Sequence, residues 1–276
     1  MAFPRTVLVA LLTAGLALSD AAAHPMLDDQ LARAQREATA TPSDPQAWVR
    51  VAQLQRYRRQ WDEAERLYAH ARALPGAPAE LDLDLGRMRL EAGRPEGALA
   101  PLTDYVAAHP QDPEGWASRG DALAALGRPA EAAGAYAEAL ARSAPTRPAL
   151  PDTYLHWARA AEAAGTPVAR ILNGLDEGAA RLQGAIALQI EALDLAERHG
   201  RTEDALARLS TLEAHAQRKE PWAARRARLL AGAGRTDEAR AAWASVLTAL
   251  DALPASRQET SAVQALRQEA SAGAAR

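Results

Sequence analysis

The chain has 276 residues, a formal charge of −3 and a hydrophobic share of 48 %, most of it Ala and Leu, while aromatic residues total 4 %. Such a composition argues against a sheet core, which draws on β-branched and aromatic residues, and for helices packed through small side chains. The near-balanced charge gives no electrostatic footprint for nucleic acid, and with no cysteine there is neither a disulfide, thiolate chemistry nor a lipobox anchor.

The first residues read as an export signal. Arg5 supplies one positive charge, Val7 to Leu18 form an apolar run, and Ala21, Ala22 and Ala23 give small residues where a signal peptidase cuts. The run is too short and wrongly flanked for a membrane-spanning helix. A signal peptide over residues 1–23 is therefore expected, cleaved after Ala23 to expose His24, with the mature protein periplasmic or secreted. No later segment approaches a membrane span. Residues 24–44 are expected to form an N-terminal capping helix, with Leu27, Leu31, Ala34 and Ala38 on its apolar side.

From there a pattern returns every 34 residues: Ala64, Ala98 and Ala132 share the spacing, as do Tyr68, Leu102 and Tyr136. A period in this range means one supersecondary unit copied along the chain. In the clearest copy a helix beginning at Pro113 with Trp116 ends at Gly127, since a helix commonly stops in a left-handed conformation that Gly reaches without strain. Pro129 suits the first turn of a second helix, which carries Ala132, Tyr136 and Ala139 on one stripe and closes at Pro145. Residues 45–146 hold three such regular units. Residues 147–185 form an irregular one: a linker near 147–150, then Tyr154, Trp157 and Ala158 before Gly165, and a second stripe of Val168, Leu172 and Leu175. Residues 186–253 hold two more, with Thr202 and Thr236 read as N-caps ahead of acidic first turns. Residues 254–276 are a mostly polar capping helix, Ala255 to Ala270 around Val263 and Leu266, and a tail.

These residues resemble the tetratricopeptide repeat, in which position 4 is bulky, 7 is Leu, 8 small, 20 Ala, 24 aromatic, 27 Ala and 32 Pro. Residues 45–78 supply Trp48, Val51, Ala52, Ala64, Tyr68 and Ala71; residues 79–112 supply Leu85, Gly86, Ala98 and Pro110; residues 113–146 supply Trp116, Gly120, Ala132, Tyr136 and Ala139. Position 11 departs from the usual Tyr, being Gln55, Arg89 and Leu123. The resemblance implies an all-α solenoid of about six helix-turn-helix repeats with a capping helix at each end. It further implies a scaffold, with no enzymatic activity, that holds a protein or peptide in a groove lined by the first helices. The alternative is a periplasmic assembly or maturation factor that presents clients to an envelope machine.

No chemistry competes with that reading. The six histidines form no i, i+4 pair, so no metal site is expected, and there is no nucleophile elbow, phosphate loop or dinucleotide fingerprint. Neither cofactor nor catalytic residue is expected. For the groove, the family's position 9 falls on Gln53, Arg87, Asp121, Arg159, Asp194 and Arg228, alternating in sign over the last five. Arg and Asp of adjacent repeats are expected to meet there as a ladder of exposed rungs, each contributing about 0–1 kcal/mol. The first repeat adds Arg50, Arg56, Tyr57, Arg58 and Arg59. Pairing of Arg58 and Arg59 with Asp62 and Glu63 would leave Arg56, Tyr57 and Arg87 as a cationic and aromatic cluster short of carboxylates. The partner expected there is an acidic segment or a free C-terminal carboxylate, because Arg forks bind both. The family's carboxylate clamp uses Lys and Asn, whereas Lys219 and Asn173 are the only such residues here and neither lies in the groove. The sequence does not address oligomeric state.

Overall fold

A computed structural model describes residues 25–144 and 148–275; the expected signal peptide, His24 and Pro145 lie outside them. The described residues are all-α. The helices are α1 (Pro25–Ala40), α2 (Pro45–Tyr57), α3 (Trp61–Ala73), α4 (Glu80–Glu91), α5 (Pro95–Ala108), α6 (Pro113–Ala125), α7 (Pro129–Arg142), α8 (Pro151–Ala163), α9 (Val168–Arg181), α10 (Ile186–Arg198), α11 (Thr202–His215), α12 (Glu220–Gly232), α13 (Thr236–Asp251), α14 (Ala255–Gln258) and α15 (Ser261–Ala274). The chain divides into two compact units, Met1–Arg128 and Pro129–Arg276, each described by itself.

One turn recurs in both units because one residue position controls it. Where a first helix ends, a residue donates its N–H to the carbonyl five residues before it: Gln60 to Gln55 at 2.9 Å, Arg94 to Arg89 at 2.7 Å, Arg128 to Leu123 at 2.9 Å, Thr166 to Ala161 at 2.9 Å, Arg201 to Ala196 at 2.8 Å and Arg235 to Leu230 at 2.9 Å. This closure needs a left-handed residue between them. Gly93, Gly127, Gly165, Gly200 and Gly234 provide it, and at the same place in the first repeat Arg59 adopts φ 56°.

The starts are also built in sequence. Pro45 and Pro113 open their helices where a missing N–H costs nothing, and the carboxylates of Asp44 and Asp112 accept from the backbone N–H groups of Gln46 at 2.9 Å and Glu114 at 3.3 Å. Thr202 and Thr236 depart from expectation: each is the first helical residue, and Arg201 and Arg235 occupy the cap position. Their guanidiniums reach Asp204 and Glu238 in the following first turn, so the anions at the helix start serve those arginines.

In the first unit α1 packs on α2 through Leu31, Ala34 and Ala38 against Ala47 and Val51. Tyr68, fully buried, sits among Ala52, Ala64, Leu81, Leu85 and Met88. Trp48 and Trp116 are only half-buried; each indole N–H donates at 3.0 Å to a carbonyl six residues earlier, Pro42 and Pro110. In the second unit Tyr154, Ile171, Leu175, Leu188, Leu193 and Leu209 form the main core, and Trp243, Val246, Leu250, Val263 and Ala270 form another at the C-terminal end. The C-terminal helix expected over Ala255 to Ala270 is split in two by a break at Glu259 and Thr260.

Candidate binding face

The first helices of neighbouring repeats touch, α4 with α6 in the first unit and α8 with α10 in the second. Their polar side chains therefore meet across the junctions, and they do so by a fixed offset. Gln53 Nε2 donates to Asp84 Oδ2 at 2.9 Å, Arg87 Nε donates to Ser118 Oγ at 2.9 Å, and Arg225 pairs with Asp194. All three pairs are 31 residues apart, position 9 of one repeat to position 6 of the next. Arg159 reaches Glu191 at 3.9 Å in the same sense. The expected ladder of position-9 residues bonded to one another is thus corrected. Adjacent helices are offset by about one turn, so position 9 faces position 6, one turn back on the next helix.

A second rung joins positions 12 and 13. Arg56 holds Glu91 in a two-pronged pair at 2.7 and 2.5 Å, and Asp84 stands 3.8 Å away. Hydrogen bonding to Glu91 raises the Arg56 pKa against the opposing effect of burial. Burial likewise pushes up the hydroxyl pKa of Tyr68, so Tyr68 stays neutral beside Arg56. In the second unit the sign is reversed: Arg198 donates to Glu162 at 2.9 Å and to Glu191 at 3.2 Å, and His199 Nε2 lies 2.8 Å from Glu162. The hydrogen bond from Arg198 is the chief cause that lowers the Glu162 pKa.

These pairings overturn the premise that the first repeat is short of carboxylates. Arg56 is neutralised by Glu91 and Arg87 by Glu114 at 3.2 Å. Arg58 and Arg59 do not pair with Asp62 and Glu63, because α2 ends at Tyr57 and α3 starts at Trp61, so no continuous helix sets an i, i+4 spacing across the turn. Arg58 reaches Asp28 at 3.3 Å, Asp62 takes Arg94 at 2.6 Å, and Glu63 takes Arg66. Arg50 pairs with Glu37 at 2.7 Å. Asp121 holds a partner, and Arg228 grips Glu269 with two bonds at 2.7 and 2.6 Å. Tyr57 is 77 % exposed, and the exposed Arg59 has no ion pair among the described residues.

Sequence reasoning missed the position 12 to 13 rung, although its spacing of 35 residues in Arg56–Glu91 and 36 in Glu162–Arg198 was available. It also missed an open cavity of about 860 Å³ in the second unit, with Tyr154, Leu182, Arg181 and Gln183 on its wall. Gln183 has a left-handed backbone there, φ 54°. Among the described residues no cluster of three or more His, Asp or Glu is placed to hold a metal, and no helix is long and apolar enough to cross a membrane.

Residues 83–148 match the family model of the tetratricopeptide repeat. Among solved structures the chain is similar to PilW, described as a widely conserved type IV pilus biogenesis factor, at 18 % identity over 75 % of this chain and 93 % of PilW, with a TM-score of 0.55. It is similar to a chain of the Naa15/Naa10 complex bound to HypK-THB at 14 % identity, covering 90 % of this chain and 39 % of that one, with a TM-score of 0.54. It is also similar to MamA from Desulfovibrio magneticus RS-1 at 12 % identity, covering 67 % of this chain and 99 % of that one, with a TM-score of 0.52. At these identities the likeness is one of fold. Comparison with curated proteins yields no match.

Proposed function

We propose that this chain, which carries tetratricopeptide repeats, is an exported scaffold without enzymatic activity that binds a segment of another protein. The observation that carries the reading is where the polar residues of the first helices go. Within each unit they fix one repeat against the next at a near-constant offset, which builds a repeated surface rather than a reaction centre. The apolar run Val7 to Leu18 followed by Ala21, Ala22 and Ala23 supports export.

The test is expression of the full-length chain with a C-terminal tag in a Gram-negative host. N-terminal sequencing of the periplasmic fraction should return a start at or near His24, and chemical crosslinking there should join the chain to a discrete partner. A chain that keeps Met1 and stays in the cytoplasm would remove the export claim. A chain that crosslinks to nothing in its native host would remove the scaffold claim. The assembly-factor reading makes the same two predictions and adds a third, that loss of the gene disturbs an envelope machine.

A further inference from the structure

In the first unit the junctions leave one side of α2 unmet among the described residues. Position 9 of a first helix meets position 6 of the one that follows at four junctions, and position 12 meets position 13 at two of them; at α2 the receiving positions are Arg50 and Tyr57. Among the described residues only α1 precedes α2, and α1 stands where a second helix would. Asp28 on α1 and Asp62 on α3 are 34 residues apart, and each is taken by an arginine from the turn that follows, Arg58 and Arg94. Among the described residues, therefore, no first helix precedes α2. The side of α2 that would meet one carries exposed Gln46, Arg50 and Tyr57.

Arg59 adds a second, independent observation. Five repeats put Gly at this left-handed position; here a residue with a Cβ takes φ 56° and accepts the strain. The carboxylate clamp in this turn is already served by Arg58, and the Arg59 side chain has no hydrogen bond or ion pair among the described residues. Elsewhere the equivalent cation sits one residue later and is bonded: Arg94 to Asp62 and Glu65, Arg235 to Glu203. The first turn thus holds a strained, unpaired guanidinium two residues from an exposed Tyr.

We propose that this open face of α2 docks an acidic helix of a partner protein, laid where the first helix of a preceding repeat would lie. This deepens the scaffold reading and rests on it. The molecule itself shows what chemistry such a face accepts. Arg225, at position 6 of its repeat, is held by Asp194 and Glu197, positions 9 and 12 of the helix before. The docking helix therefore presents two carboxylates three residues apart on one side, with an apolar neighbour for the Tyr57 ring. Arg50 exchanges its exposed pair with Glu37 for a carboxylate of the partner, and Arg59 gains a bond it lacks within the chain.

The probe is a fluorescein-labelled, helix-forming Ala-rich peptide with amidated ends, one Asp-x-x-Glu pair and one Leu on the same side, with an Asn-x-x-Gln peptide as control. Titrated by anisotropy against the mature chain at low salt, the acidic peptide should bind at least about tenfold more tightly than the control. Arg59→Gly should weaken the acidic peptide about tenfold while melting no lower than the parent, since Gly relieves the left-handed strain. Arg59→Lys, which keeps the charge and the strain, should lose less affinity. Equal binding of the two peptides, or unchanged affinity in Arg59→Gly, would overturn the proposal. If a partner crosslinked in the periplasm is retained by Arg50→Ala and Arg59→Gly, this face is wrong while the scaffold reading stands. If the parent crosslinks to nothing, the scaffold reading itself fails. Self-association that rises with protein concentration and is abolished by Arg50→Ala would make a second copy the occupant and overturn the separate partner.

Discussion

The helix pairs α4–α5 and α8–α9 fit a large side chain over a glycine from opposite sides. In the regular pair the small residue is on the first helix: a Cβ added at Gly86 would stand 2.4 Å from Leu102 Cγ on α5. In the irregular pair the small residues are on the second helix. A Cβ at Gly174 would meet the Trp157 ring at 2.4 Å, and one at Gly178 would meet the Tyr154 ring at 2.6 Å. Two helices approach closely when either one supplies the gap, so long as the other supplies the knob. The fourth repeat keeps the knob-over-glycine contact and exchanges the roles.

Removing a knob should show the largest effect. Tyr154→Ala takes a buried ring off a surface of two helices, where Gly178 cannot fill the space, and should cost about 3–5 kcal/mol in denaturant unfolding. Filling a gap comes next: Gly86→Ala forces Leu102 off its rotamer and should cost about 1–3 kcal/mol. The double variant Gly86→Ala, Leu102→Ala, which supplies room for the new methyl, should lose less than the sum of the two single variants. Additive losses would mean that Gly86 and Leu102 do not form one knob-and-gap unit.

This exchange also explains what the sequence made legible. The 34-residue period places Ala64, Ala98, Ala132, Tyr68 and Tyr136, and these residues are buried as one stripe per helix. The turn glycines announce themselves because only one residue type adopts that backbone without strain. Arg59 breaks the rule, and nothing in its local sequence reveals a left-handed backbone. The fourth repeat fits the pattern less well because it carries Gly174 at position 24, where the family pattern has an aromatic residue. In the candidate face, residue types and rough location were readable, but partners were not. Position 9 meets position 6 because of how neighbouring helices are staggered, and stagger belongs to the packing of two repeats rather than to either sequence alone.

A smaller effect separates the two units by pH. The Glu162 pKa lies below its ordinary value, chiefly through the hydrogen bond from Arg198 and also through His199. A carboxylate with a lower pKa when folded binds fewer protons in the folded chain. Its contribution is present above the unfolded pKa of about 4.3 and is lost as pH falls through the lower, folded value. Stability of the second unit should therefore decline below about pH 4.3, and Glu162→Gln should flatten that decline while leaving the first unit unchanged. Denaturant titrations from pH 7 to pH 3, followed by hydrogen exchange in each unit, read this out.

The account turns on the junctions, since the reading of the α2 face rests on first helices being registered to one another through such pairs. The most direct test is a charge exchange at Arg56 and Glu91, whose two-pronged pair joins α2 to α4. Arg56→Glu and Glu91→Arg alone should each destabilise the first unit by about 1–2 kcal/mol, by placing like charges together. The exchanged double variant should recover most of that loss, with a coupling of about 1 kcal/mol in the cycle. A coupling near zero would show that the repeats are not registered through these pairs, and the case for an open helix face would fall with it.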